Sequence, residues 1–202
     1  KQNVLNIPQD ILETHGAVSS EVAALMAENA ILANTYENKA DTLRDNVMNK
    51  LWNTQEEFFE TISESGKSVN VRELIGYVPW YFNLPTDSFT YSAAFEQLLD
   101  NEGFLATYGP TTAEQRDPKF LTENKDECRW DGPSWPFSTA QTITAAANLL
   151  NNYQNNNSFD KGDWFDLLMT YTNSQYKLGD PWIAENIHPY TGEWIVDYDR
   201  SI

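Results

Sequence analysis

The sequence predicts an all-α protein built of helical hairpins, with at most short strands and with long aromatic and acidic loops gathered at the helix ends. Two observations predict this class. Apolar residues recur every three or four positions in several segments, the period of a helix with one buried face. Between those segments lie stretches rich in Gly, Pro and charge, and five of the seven tryptophans fall in or after them, from residue 130 onward. At 202 residues, 41% hydrophobic and 13% aromatic, the chain has enough apolar material for one domain with a real core.

Residues 19–51 read as two helices forming an αα-hairpin, broken at Glu28-Asn29. Val22, Leu25 and Met26 supply the first apolar face. Leu32, Tyr36, Ala40, Leu43, Val47 and Leu51 supply the second, opposite a solvated charged side. Glu57 to Ile62 is a short strand or extended segment, followed by a polar loop. Val71 to Phe82 is apolar but contains Arg72-Glu73, and Gly76 and Pro79 prevent a long helix. That charged pair is either a buried structural ion pair or part of a site. A helix over 90–100 turns Ala94, Phe95, Leu98 and Leu99 inward. About thirty residues of loop follow, a length that usually carries function. Phe137 to Tyr153 is helical, with Ile143, Ala147 and Leu150 on one face. Asp160 caps a last helix with an inner face of Trp164, Leu167, Leu168 and Tyr171. Beyond Gly179 no period is visible.

The net charge of −17, with only 13 Lys plus Arg, argues against nucleic acid or anionic lipid as partner. No apolar run reaches the length of a membrane span. Two His and a lone Cys128 do not make a zinc site of His and Cys ligands. Nothing around His15 or His188 resembles a nucleophile motif, and no Gly-rich phosphate loop is present. No cofactor and no metal are expected. Asn156-Asn157-Ser158 is a glycosylation triplet of use only to an exported protein.

Residues 127–137, Glu-Cys-Arg-Trp-Asp-Gly-Pro-Ser-Trp-Pro-Phe, place Trp130 and Trp135 five apart across a Gly-Pro turn with Asp131 between them. Flat indoles beside carboxylates suit a sugar ring, whose C–H face stacks while its hydroxyls find acceptors. A single Trp is more often a core residue, but clustering at a loop-to-helix junction favours a site. A second such loop runs from Asp180 to Trp194. Glycoside hydrolysis uses two carboxyl groups, and Glu73, Asp131, Glu185 and Glu193 are candidates.

The runs Cys128–Thr139 and Glu185–Trp194 resemble the six-hairpin glycosidases, more narrowly the mannosylglycerate-hydrolase-like group related to the glucosidase-I family. Val71–Trp80, Tyr108–Glu114, and Lys50–Asn53 followed by Glu57–Phe59 fit the same pattern, in order. The resemblance implies part of an (α/α)6 toroid and a glycoside hydrolase acting by inversion on an oligosaccharide or glycoside, secreted or periplasmic. It implies Glu185 as general base, in a Glu-Asn, then Thr-Gly context. Trp130, Asp131 and Trp135 would line the subsite of the cleaved sugar, with Arg72 and Glu73 nearby; Trp80, Trp182 and Trp194 complete the substrate-binding candidates. The family's general acid, an Asp upstream of the position of Leu32, has no match here. The expectation is therefore one domain over 1–202, an incomplete barrel lacking its N-terminal half and last helix, inactive alone and partnered by the remainder of the barrel. The alternatives are a non-catalytic carbohydrate-binding protein with the same tryptophan platform, and a helical interaction module whose tryptophans are core.

Overall fold

The computed structural model describes residues 20–122, 128–177 and 179–196. His15, the leading part of the Cys128 motif at Glu127 and the side chain of Val22 lie outside the described residues. The chain divides into two compact units, Lys1–Asn46 and Val47–Ile202.

The first long element is one uninterrupted helix, α1, Ser20–Leu51, where a hairpin broken at Glu28-Asn29 was expected. No Gly or Pro occurs between Ser20 and Leu51, and Asn in a helix interior costs only about 0.5 kcal/mol relative to Ala, too little to stop a helix. In the first unit Leu25, Ile31, Leu32, Tyr36 and Leu43 are exposed, so the expected inward face is not buried there. Among the described residues no helix is long and apolar enough to cross a membrane.

In the second unit the chain turns through a minimal antiparallel hairpin, β1 (Trp52–Asn53) against β2 (Phe58–Phe59), which settles the extended reading of that segment. A 3-10 turn, Leu74–Tyr77, runs into the short helix α2, Val78–Tyr81. Pro79 within its first turn suits a helix start, where its missing N–H is not needed. The expected helix over 90–100 is a short α3, Phe89–Ser92, continued as 3-10 helix Ala93–Leu98. Ala94, Phe95 and Leu98 are buried as expected, but Leu99 is exposed because the tighter winding rotates it outward. Helix α4, Pro136–Asn152, opens on a proline. Its buried face is Thr142, Ala145, Ala146 and Leu149. Ile143, Ala147 and Leu150 flank that face and are only half-buried. Helix α5, Lys161–Ser174, starts at Asp160, whose carboxylate accepts from the Gly162 and Asp163 amides while Asp163 reciprocates to the Asp160 amide. A second small hairpin, β3 (Tyr176–Lys177) with β4 (Asp180–Pro181), leads into the tail.

The core is aromatic. Phe58, Phe59, Tyr77, Trp80, Phe95 and Phe104 pack with Leu74, Leu98, Leu149 and Phe159, their rings meeting edge to face or tilted. Gly76 is required here: a Cβ would meet the Phe58 ring at 2.2 Å and the Phe59 carbonyl at 2.5 Å. Burial holds the Tyr77 phenol well above its ordinary value, so it stays protonated and donates to the Ala94 carbonyl at 2.8 Å.

Asp87 ties the connection after α4 to the loop before α3, accepting from the Asn155 and Gln154 amides at 2.8 and 3.0 Å. Those amides, Asn155 first, hold its carboxyl below the usual carboxylate range. A depressed folded-state value contributes stability above the unfolded value near ~3.9, lost as pH falls through the folded one. Asp87→Asn is therefore expected to lower the melting temperature at neutral pH, with the difference from wild type closing in acid. A constant difference across the titration contradicts this account.

Candidate active site

The site is assembled from three loops of the second unit. The first two lie side by side: Glu73 bridges antiparallel to Ala113, with Leu74 N–H donating to Thr112 O at 2.9 Å and Glu114 N–H to Arg72 O at 3.0 Å. Successive residues of an extended chain point to opposite sides, which separates the Arg72-Glu73 pair. Arg72 turns inward. Its guanidinium meets Glu114 Oε2 at 2.8 Å and Glu56 Oε2 at 2.6 Å, and donates twice to the Glu56 carbonyl. Glu114 is nearly buried, accepts also from the Arg72 amide at 2.8 Å and lies 3.3 Å from Arg116 Nε. Arg72 is thus a structural ion pair and does not reach the site. Glu73 faces the other way, accepting from Thr61 Oγ1 at 2.5 Å.

The third loop carries the tryptophans. Trp130 and Trp135 stack nearly parallel, centroids 4.4 Å apart. Trp135 is buried and donates its indole N–H to the Arg129 carbonyl at 2.8 Å, whereas Trp130 is 43% exposed. Arg129 grips Asp131 with two hydrogen bonds, 2.9 and 3.1 Å, a fork that fixes the carboxylate's orientation. Gly132 has φ +149°, and a Cβ there would strike the Phe120 ring at 2.5 Å. The turn needs glycine on both counts.

These loops enclose a concavity of about 460 Å³. Glu73, Asp131, Trp130, Lys119, Phe120 and Asp117 are among its lining residues. Carboxylates and an exposed indole lining one concavity can hold a polar ring by its face and its hydroxyls. Among the described residues no group of His, Cys, Asp or Glu could hold a metal ion.

The tail is joined to this turn. Ser134 and Ile187 exchange two backbone hydrogen bonds, both 2.9 Å, and Ile187 bridges in turn to Trp194. His188 N–H donates to Glu193 O at 2.8 Å, closing the Pro-Tyr-Thr-Gly turn. Gly192, φ +72°, lies so close to the Tyr108 ring that a Cβ would meet it at 2.5 Å. Glu185 stands half-buried two residues before Ile187. It is not among the residues lining the Trp130 concavity, and neither are Trp182 and Trp194, both half-buried.

The sequence-based candidates therefore divide. Glu73, Trp130 and Asp131 share one concavity. Trp135 lies beneath Trp130 as its support. Trp80 is fully buried among Phe59, Tyr77 and Phe95, where it packs the core and touches no site. Lys119 and Phe120 carry no local signal, and the Arg129–Asp131 fork is adjacent in sequence yet unreadable without the turn.

Residues 17–199 match the sequence profile of the mannosylglycerate hydrolase MGH1-like glycoside hydrolase domain. The chain belongs to this family. Among solved structures, this glycoside hydrolase domain is similar to a protein described as a sialidase, with 44% identity and a TM-score of 0.82 over 88% of this chain and 16% of that one. It also resembles a GH63 mannosylglycerate hydrolase from Thermus thermophilus in complex with glucose, with 16% identity and a TM-score of 0.55 over 71% of this chain and 32% of that one. The same enzyme in complex with Tris gives 17% identity and a TM-score of 0.54, over 71% of this chain and 31% of that one. At those identities the Thermus structures speak for the fold alone, and they agree with the predominantly helical architecture. The chain spans about a sixth to a third of the length of these relatives. No curated protein matches it.

Proposed function

We propose that this chain forms part of an inverting glycoside hydrolase in which a sugar ring stacks on Trp130, with Asp131 and Glu73 accepting from its hydroxyls. Glu185 is the general base that takes a proton from the attacking water as its oxygen bonds to the anomeric carbon. A carboxylic acid contributed by another segment of an (α/α)6 toroid protonates the departing glycosidic oxygen. Inversion needs the two carboxyl groups about 6.5–9.5 Å apart, with the water between base and sugar. The substrate is an oligosaccharide or a small glycoside, and the enzyme acts outside the cytoplasm.

The observation that carries this reading is the pairing of Ser134 with Ile187, which ties the tryptophan turn to the segment bearing Glu185. Membership of a glycoside hydrolase family supports the reaction class. The test is a panel of aryl mannosides, glucosides and sialosides offered to the full-length protein, with the first-formed sugar followed by proton NMR. Release of the opposite anomer is expected; release of the same anomer contradicts inversion.

A second reading is favoured by one feature, the separation of Glu185 from the residues lining the Trp130 concavity. A non-catalytic sugar-binding domain would use Trp130, Asp131 and Glu73 without any base. It predicts sugar binding with no turnover of any glycoside in the panel.

A further inference from the structure

The geometry assigns to Thr112 the role of a positioning residue, whose buried hydroxyl sets the tryptophan turn against the Glu73 wall of the sugar site; this rests on the sugar-binding reading above. Thr112 is 3% exposed and sits between the two walls of the concavity without lining it. Its own carbonyl accepts from Leu74 N–H at 2.9 Å, fixing it to the segment that carries Glu73. Its hydroxyl reaches the opposite wall three times: the Trp130 carbonyl at 3.0 Å, the Pro133 carbonyl at 2.9 Å and the Gly132 amide at 3.2 Å. The amide donates to the hydroxyl oxygen, and the single hydroxyl proton is shared between the two carbonyls.

Among the described residues no helix or strand runs from Trp130 to Pro133. The backbone of this turn bonds outward to the Thr112 hydroxyl, and Asp131 O also accepts from Leu121 N–H at 2.9 Å. Trp130 and Asp131 are flanked by the groups that Thr112 anchors, so their distance from Glu73 depends on it. Valine has the same shape and no hydrogen-bonding group, while serine keeps the hydroxyl and loses a methyl. The pair separates the bond from the packing.

The experiment uses the full-length protein as wild type, Thr112→Ser and Thr112→Val, each made both with and without Trp130→Phe so that the Trp130 emission is obtained by difference. D-glucose is the ligand probe and acrylamide the exposure probe. Thr112→Ser is expected to keep the glucose response of wild type, and Thr112→Val to weaken it about tenfold, from stranding buried carbonyls and an amide. Acrylamide quenching of Trp130 is expected to rise in Thr112→Val alone. Equal glucose affinity and equal quenching in the two variants would overturn the assignment.

If wild type gives no glucose response, the sugar-binding reading is what fails; the quenching comparison still decides the role of Thr112, with a rise in Val alone supporting it and equal quenching overturning it. Should Thr112→Val not fold, hydrogen exchange on the wild type decides. A slowly exchanging Gly132 amide supports the tether, and exchange at the rate of an open loop overturns it.

Discussion

Glu185→Gln in the full-length protein is expected to lower kcat by about 10²–10⁴-fold, the usual contribution of a general base, with KM changed little. The amide keeps the shape and hydrogen-bonding reach of the side chain but cannot accept the proton from water. Backbone on either side of Glu185 is held by bonds from its neighbours. Ala184 N–H donates to Gln175 Oε1 at 3.0 Å, and Ile195 N–H donates to Asn186 O at 3.3 Å. Those bonds remain in the variant, and under the proposed function sugar binding at Trp130 is expected to persist. Turnover by the variant equal to wild type would remove Glu185 from the mechanism.

The largest effect on stability is expected from Arg72→Met. The side chain pairs with Glu114 deep in the second unit and also satisfies the Glu56 carbonyl. Methionine fills much of the same volume but leaves the Glu114 carboxylate with one remaining cation, Arg116, 3.3 Å from it. Removing one partner of a buried pair costs about 3–5 kcal/mol, and with Arg116 still beside Glu114 the lower end of about 3 kcal/mol is expected. For a unit of this size that corresponds to a fall in melting temperature of roughly 10 °C. Arg72→Lys, which keeps the charge but not the fork, should fall between the two. The loss should reach the site as well, since Glu73 shares the bridge to Ala113 that this pair stabilises. A melting temperature within a degree of wild type would show that the pair contributes nothing.

The contrast between Arg72 and Glu73 shows what the sequence could and could not say. Adjacent charges in an apolar stretch read as either a buried pair or a site, and the structure separates the two residues: Arg72 is in the buried pair, and Glu73 lines the candidate concavity. Deciding which required the partner, and Glu114 is far along the chain. The starts of α4 and α5 were legible because local chemistry determines them: Pro136 in the first turn and the Asp160 capping box. Helix α1 runs through Glu28-Asn29, where a break is expected from the sequence, because the propensity cost of Asn29 is small beside an otherwise uninterrupted run of helix formers.

Tryptophan was the harder case. Trp80 and Trp135 each have a proline neighbour, as the loop tryptophans often do, yet Trp80 is wholly enclosed and Trp135 lies under its partner. Sequence clustering singles out Trp130 and Trp135 together and does not say which ring is exposed. Thr112, a threonine in a turn-rich loop, has no local signature in the sequence. Its significance lies in three bonds to residues 18 to 21 positions away.

The most direct measurement is a crystal structure of full-length Glu185→Gln with an uncleaved glycoside bound. A pyranose lying on Trp130, hydroxyls on Asp131 and Glu73, and the anomeric carbon turned toward residue 185 is the predicted result. A glycoside bound elsewhere, with Trp130 covered by protein and residue 185 remote from the sugar, would contradict it.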